Sequence, residues 1–352
     1  MTPPPGPEAQ IGFLQDLQRI YEEGDFTATY KYALLIALAE LAVERGKDDG
    51  APLVLRIEWL AGKFAEIYWP QSTPYAAGTR GAQRGVLSQN LGAQSAVIRQ
   101  LIDFRRLHPD SIVQARADDA WPALVGGIAQ VVRSQPVNYL QNVGGRAIRF
   151  LYDVGPRRGE LTLLPGVAYC LRRFHGLVHQ LSRAGWIRHV RENTRNRMIV
   201  GEAGDLEAFL FGHQRASLEG ARQVLREFQS GKCFYCGRSI REEGAVDHFI
   251  PWARYPRDLA HNLVLAHSQC NGRKADMLAA KRHLEPWRGR NSGHEGAELG
   301  AALVGKGVIA DPECAITVAR WAYGQGHAAG AYAWVQRDQS EPIDDGCLSL
   351  LA

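Results

Sequence analysis

The sequence predicts a mainly helical α+β protein, and three observations carry that reading. Apolar residues recur at helical spacing from Ile11 to Tyr68: Ile11, Leu14, Leu17, Ile20 and Tyr21, then Leu34, Leu38 and Leu41, then Trp59, Phe64 and Tyr68. Strand-like runs occur only as short pieces, namely RAIRFLYDV (Arg146 to Val154), GELTLLP (Gly159 to Pro165), Ala245 to Ile250 and Asn262 to Leu265. Third, two pairs of cysteine and histidine between Gly231 and Arg290 can staple two strands and a helix that have little core of their own.

Taken in order, the start, MTPPPGPEAQ, lacks the apolar centre of a signal peptide and is expected to be disordered. Three helices follow: one stopped by Gly24, one from about Ala28 to Arg45 stopped by Gly46, and one from Ile57 to Trp69 ended by Pro70. Gln71 to Gly92 is rich in Gly, Ser, Gln and Thr and reads as a loop; a helix follows near Gln94 to Arg106. Leu124 to Val132 reads as a helix. The two runs at Arg146–Val154 and Gly159–Pro165 read as strands paired across a Gly-Pro-Arg-Arg-Gly turn. Gly166 to Gly185 and Asp205 to Gln229 are expected as helices. After the stapled segment, RGRNSGHEG reads as a flexible link and about Ala297 to Gln336 as a helical piece. The expected organisation is a helical N-terminal domain (1–117), a mixed α/β accessory domain (118–205), the stapled module (206–290) and a helical C-terminal segment (291–352).

Composition bounds the function. A chain of 352 residues, 45% hydrophobic, is long enough for several domains with a sizeable core. A net charge of +4 does not by itself demand nucleic acid, but between Gly231 and Arg290 eleven Lys and Arg face six acids, a local footprint suited to phosphate. The run RHVRENTRNR (Arg188 to Arg197) is a second basic stretch, either a solvated face or a contact to DNA. His175 and His179 lie four apart on a helix, a spacing metals use. No acidic motif completes a site there, so they read as a core or surface pair. The six cysteines form no disulfide framework, which fits a reducing, cytoplasmic setting. The most apolar run, Tyr32 to Val43, is too short to span a bilayer, so no membrane is expected.

The stapled segment holds the chemistry. Cys233 and Cys236 form C-x-x-C, and His267 and Cys270 form H-x-x-C, four soft or borderline ligands suited to a closed tetrahedral zinc. A redox pair is the bland reading of a lone C-x-x-C, but it carries no distant H-x-x-C partner. On a strand from Ala245 to Ile250, His248 and Asp247 point to opposite faces. On a helix from about Ser268 to Leu284, Asn271 and Lys274 repeat the spacing of His267 and Cys270 one residue on, and so present a neighbouring face.

In this order (C-x-x-C, D-H at a strand end, N-L on the next strand, C-N-x-x-K on a helix) the segment resembles the HNH, or ββα-metal, nucleases in their zinc-stapled form, over about residues 231–290. The resemblance implies a DNA endonuclease. It casts His248 as general base, Asp247 and Asn271 as ligands of a catalytic Mg²⁺ or Mn²⁺, and Asn262 as the brace that holds the loop and the His248 ring. Lys274 would be a point charge near the phosphate. Cys233, Cys236, His267 and Cys270 would hold structural Zn²⁺; His267 stands where many relatives have cysteine, and histidine ligates zinc as well. Restriction or anti-phage defence is the setting suggested by HNH proteins with long accessory N-terminal regions.

The residue types suit hydrolysis. An imidazole can take a proton from water near neutral pH, and a carboxylate with a carboxamide oxygen suits a hard cation that keeps room for phosphate oxygens. Two other functions stay open: a zinc-stapled subunit that binds nucleic acid without cutting it, and a nuclease acting on RNA. The expected partner is nucleic acid, DNA foremost, with a homo-oligomer or a defence complex compatible with the long flanking regions.

Overall fold

A buried helix organises the N-terminal part of the computed structural model, which describes residues 2–76, 83–107, 111–155, 159–200, 205–212 and 215–352. The packing separates two units, Met1–Gly212 and His213–Ala352. Strands and caps tie 1–117 to 118–205, residues 206–212 pack with them, and helices tie 215–290 to the C-terminal segment.

In the first unit, α1 (Pro7–Glu23) buries Phe13, Leu17 and Ile20 along one stripe. Residues 2–6 are not a loose tail: the Gly50 amide donates to the Thr2 carbonyl, and proline starts α1. The central element is α2 (Tyr30–Arg45), buried at every position from Tyr30 to Val43, as a helix apolar on all sides requires. Its buried Glu40 is paired at 2.8 Å with Lys63. Its C-terminal carbonyls are capped from afar, since the Arg172 guanidinium donates to the oxygens of Ala42, Val43 and Gly46 and pairs with Asp48.

A strand not expected from sequence, β1 (Leu53–Arg56), leads directly into α3 (Ile57–Tyr68). Then come α4 (Ala96–Arg105), N-capped by Ser95, α5 (Ile112–Arg116), α6 (Trp121–Ser134) and the single turn α7 (Pro136–Tyr139). The run Arg146–Val154 is two strands rather than one. β2 (Asn142–Val143) pairs with β3 (Arg146–Ala147), and β4 (Tyr152–Val154) pairs with β5 (Glu160–Leu163). Between β3 and β4 the Gln141 carboxamide oxygen accepts the amides of Phe150, Leu151 and Tyr152, which bends the chain. β5 also pairs with β1, Leu53 opposite Leu163, so the sheet order is β1-β5-β4, antiparallel throughout. Of the expected Gly-Pro-Arg-Arg-Gly turn, residues 156–158 lie outside the described residues, as do 77–82 of the expected loop.

The helix expected at Gly166–Gly185 is two, α8 (Val167–Arg173) and α9 (His175–Glu192), broken at Phe174. His175 and His179 are core residues with ring centroids 4.3 Å apart. In the basic run, Arg188, Arg191, Arg195 and Arg197 are exposed. Its asparagines are buried and bond the backbone at Ser88 and Asn90. α10 (Arg197–Val200) and α11 (Leu206–Phe211) complete the unit. The helix expected at Asp205–Gln229 is interrupted at Gly212, where an added Cβ would lie 2.3 Å from the Ala208 carbonyl oxygen; residues 213–214 lie outside the described residues.

The second unit runs α12 (Arg215–Phe228), β6 (Ala245–His248), β7 (Leu263–Ala266), α13 (Ser268–Lys274), α14 (Lys281–Arg290), α15 (Gly293–Val304), α16 (Pro312–Ala328), β8 (Tyr332–Gln336), β9 (Gln339–Pro342) and α17 (Asp345–Leu351). β6 and β7 form an antiparallel ribbon with Asp247 opposite Val264 and His248 opposite Leu263. The helix expected to run from Ser268 to Leu284 stops at Lys274, because Ala275 turns back with φ +46°. Residues 275–277 form a turn, closed by the Met277 amide on the Lys274 carbonyl, and Ala279 then bridges Trp334. The expected flexible link after Trp287 is ordered instead: Arg290 is buried and donates to the carbonyls of His261 and Leu263. The C-terminal piece is helical only to Ala328 and ends in the β8–β9 hairpin and α17. Among the described residues no helix is long and apolar enough to cross a membrane.

Candidate active site and metal centre

The metal centre is assembled from a knuckle and a helix start. Gly231 and Gly237 both take positive φ around Cys233 and Cys236, and the Gly237 amide closes the knuckle on the Cys233 carbonyl. His267 is the N-cap of α13 and Cys270 lies in its first turn. The three sulfurs and one ring nitrogen lie within 4.8 Å of one another. The Cys236 sulfur is 3.3 Å from His267 Nδ1, while Nε2 faces the Ser239 carbonyl at 3.3 Å, an outer partner that would present Nδ1 to a metal.

The donor set fits zinc on chemical grounds. Burial opposes ionisation of Cys236, yet hydrogen bonds from the Arg238 backbone and from Cys233, His267 and Cys270 outweigh it and bring its pKa below that of an ordinary thiol. Cys270 is pushed up to about 12 by burial and then by charge on Cys233 and Cys236. Thiols this close compete for one negative charge, and a cation bound at about 2.3 Å from each sulfur removes that competition. Cys233, Cys236, His267 and Cys270 can therefore hold zinc, and the structure brings together all four residues expected to do so.

The second cluster lies at the end of β6. Because side chains alternate along a strand, Asp247 and His248 leave on opposite faces and meet different partners. The Asp247 carboxylate accepts a short hydrogen bond from the Tyr235 hydroxyl. It also pairs with the Lys274 ammonium, at 3.1 Å to Oδ2 and 3.4 Å to Oδ1. Lys274 is fully buried and donates as well to the His248 carbonyl at 2.9 Å. Burial lowers the pKa of Lys274 against the pull of Asp247. Lys274, expected as a point charge near the phosphate, is placed inside the chain, where its bonds to Asp247 and to the His248 carbonyl fix the strand end. Burial, then the Asp247 charge, raises the pKa of Tyr235, so it stays a hydroxyl donor.

His248 is buried, with Nε2 2.8 Å from Asp258 Oδ1 and its ring 5.3 Å from that of Trp252. Asn262 bonds no histidine ring. Its carboxamide accepts the Ile250 amide at 2.7 Å and donates to the Ile250 carbonyl at 2.9 Å, tying off the loop that carries Trp252 and Asp258. Asn262 thus bonds the loop, and the imidazole of His248 meets Asp258. Asn271 is half-buried, and among the described residues its side chain makes no hydrogen bond. It lies one helical turn before Lys274, on the face that meets Asp247.

Tyr235, Trp252 and Asp258 were not singled out by the sequence. Tyr235 is concealed inside the C-x-x-C knuckle, and Asp258 stands in an irregular loop with no period to mark its direction. The only signal for Asp258 was an acid in a loop closed by Asp-His at one end and His-Asn at the other.

No curated protein and no solved structure matches the chain. Residues 233–276 match the family model of HNH endonuclease, and the metal centre, the Asp247–His248 strand end and the α13 face all lie within the matched segment.

Proposed function

We propose that the chain is a metal-dependent endonuclease hydrolysing DNA phosphodiester bonds, with His248 as general base, and that its setting is restriction or anti-phage defence in the cytoplasm. The observation that carries the reading is the His248–Asp258 pair at 2.8 Å inside the HNH segment. A carboxylate accepting from Nε2–H selects one tautomer and steadies the imidazolium that forms, and the proposal puts proton transfer from water at Nδ1. Asp247 and Asn271 would hold Mg²⁺ or Mn²⁺. A carboxylate has about four lone-pair positions, so Tyr235 and Lys274 leave part of Asp247 for a cation. When bound, that cation supplies positive charge to the phosphate oxygens and the leaving oxygen. Lys274 and Tyr235 hold the Asp247 carboxylate in place, Asn262 holds the loop, and the zinc ligands hold the knuckle to α13.

One observation favours a second reading, a zinc-stapled module that binds nucleic acid without cutting it: both oxygens of Asp247 already have partners within the chain. Supercoiled plasmid and single-stranded RNA, each with and without Mg²⁺ or Mn²⁺, separate the readings. Cleavage of plasmid that needs the divalent ion and is abolished by His248→Ala supports the proposal. Asp258→Asn should lower the rate by roughly 10²–10⁴-fold, with zinc content and unfolding midpoint unchanged. Binding without cleavage under either ion would establish the second reading, and cleavage of RNA alone would change the substrate.

A further inference from the structure

The first unit contains a cavity of about 330 Å³ lined only by residues between Asp25 and Asn142. Three segments build its walls. The 27–29 and 89–91 segments are sewn together by Thr29 N to Gln89 O and Leu91 N to Thr27 O, both at 3.0 Å. Asn193 fixes the second of these from behind by donating to the Asn90 carbonyl, and Gly24 bridges Val143 on the third side. The site is therefore held by backbone bonds and is not a gap between loose loops.

Its floor is positively charged and unanswered. Lys31 is 7% exposed and lines the cavity, yet among the described residues its ammonium forms no hydrogen bond or ion pair; it lies over the face of Phe26, 5.5 Å away. Burial lowers its pKa against the pull of Asp25. The same wall holds the N-terminus of the sixteen-residue α2. That end has no acidic residue in its first turn and no side-chain cap, because the Thr29 hydroxyl bonds Tyr68 instead. Free amides at a helix start and an adjacent ammonium are two positive features that reinforce each other. A buried charge without a partner is costly unless something completes it. Among the described residues the one carboxylate lining the cavity, Asp25, is on the exposed rim and forms no ion pair with Lys31.

The remaining lining says what kind of anion fits. Tyr139, half exposed at the rim, offers an aromatic face, and Asn142 and Gln135 offer carboxamides that make no hydrogen bond among the described residues. A volume near 330 Å³ is at the small end of ligand sites, which run from about 300 to 1,000 Å³, and suits one nucleotide but not two. We propose that this cavity binds a single nucleotide, its phosphate against Lys31 and the α2 N-terminus and its base against Tyr139, within reach of the Gln135 and Asn142 carboxamides. The nucleotide can come from solution or from a nucleic-acid strand, since the chemistry of both is the same.

The test reads binding without divalent cations, so its outcome is independent of whether the second unit cuts nucleic acid. Full-length protein is titrated calorimetrically with the nucleoside 5′-monophosphates, with inorganic phosphate and with a short single-stranded oligodeoxynucleotide. The expected result is saturable 1:1 binding of a monophosphate or of the oligonucleotide. It should weaken at least tenfold in Lys31→Met and several-fold in Tyr139→Ala, with unfolding midpoints kept. If Lys31→Met does not fold, Lys31→Gln replaces it. Binding of free monophosphate assigns the source to solution, and binding of the oligonucleotide alone, lost in the Lys31 variant, assigns it to a strand. No binding of any probe, binding undiminished by the Lys31 and Tyr139 changes, or inorganic phosphate binding as tightly as every nucleotide overturns the proposal.

Discussion

Lys274 shows how a residue of ordinary type takes its role from where it is buried. On a surface its ammonium would serve phosphate; at zero exposure it serves Asp247 and the His248 carbonyl. Removing one member of a buried pair strands the other, so Lys274→Met should cost about 3 kcal/mol in urea unfolding. A surface phosphate contact would instead leave stability intact and reduce the salt dependence of nucleic-acid binding by about one unit of slope. The sequence placed Lys274 beside Asn271 on the helix but could not give its burial, which depends on Tyr235 and α13 closing over β6. In the other unit, His179 is pushed down to about 3, first by burial and then by the charges of Arg183 and Lys63. Its folded pKa lies below the unfolded value of about 6.5, so the unfolded chain takes the proton first. The stability is complete above about pH 6.5 and falls by roughly 1.4 kcal/mol per pH unit as pH drops toward 3. His175 beside it is also lowered, first by burial, and adds to the slope. Urea midpoints at pH 7 and pH 5 should differ accordingly, and His179→Gln should reduce the slope by about 1.4 kcal/mol per pH unit, whereas an unchanged slope would place the loss elsewhere.

Elements marked by glycine, proline or a clear period were legible in the sequence, and elements ended by tertiary contacts were not. Gly24 and Gly46 stop α1 and α2 where their spacing says, each donating its amide four residues back. Nothing in KADML announces the end of α13, because alanine at position 275 is a good helix former. The break is imposed by β8, which takes residues 278–280 into backbone bonds at 2.7 and 2.8 Å on either side of Trp334. Ala275 therefore sits at φ +46°, where a side chain is strained. Ala275→Gly should relieve about 1–2 kcal/mol of strain and lose about 0.5–1 kcal/mol to the unfolded chain's freedom, a net gain of up to about 1.5 kcal/mol. A lower denaturation midpoint in that variant would show that the turn is not strained. The same limit explains Arg290: RGRNSG reads as a link, and only the fold shows that the carbonyls of His261 and Leu263 wait there for a guanidinium.

At the scale of the whole chain, the motif spans 233–276 but its support comes from beyond it. Trp334 is 3% exposed and packs edge-on against Tyr235 at 5.3 Å, the residue between Cys233 and Cys236 that also holds Asp247. Trp334→Ala should cost about 3–5 kcal/mol and also speed zinc loss to a chelator, read by a colorimetric zinc dye. Unchanged zinc retention in a folded variant would mean that the hairpin supports the core but not the metal centre. That dependence was out of reach of sequence, because the two segments lie about a hundred residues apart and share no pattern. The cap on α2 carries a similar separation into the timing of synthesis. Arg172 reaches the Ala42 carbonyl across 130 residues, and β1 waits for β5. At about 5–20 residues per second, a ribosome exposes the helix roughly 6–26 s before it can make the arginine that finishes it. During that interval α2, buried from Tyr30 to Val43 in the finished fold, has neither its cap nor its neighbours α8 and α9, and its apolar faces stay open to water until they arrive.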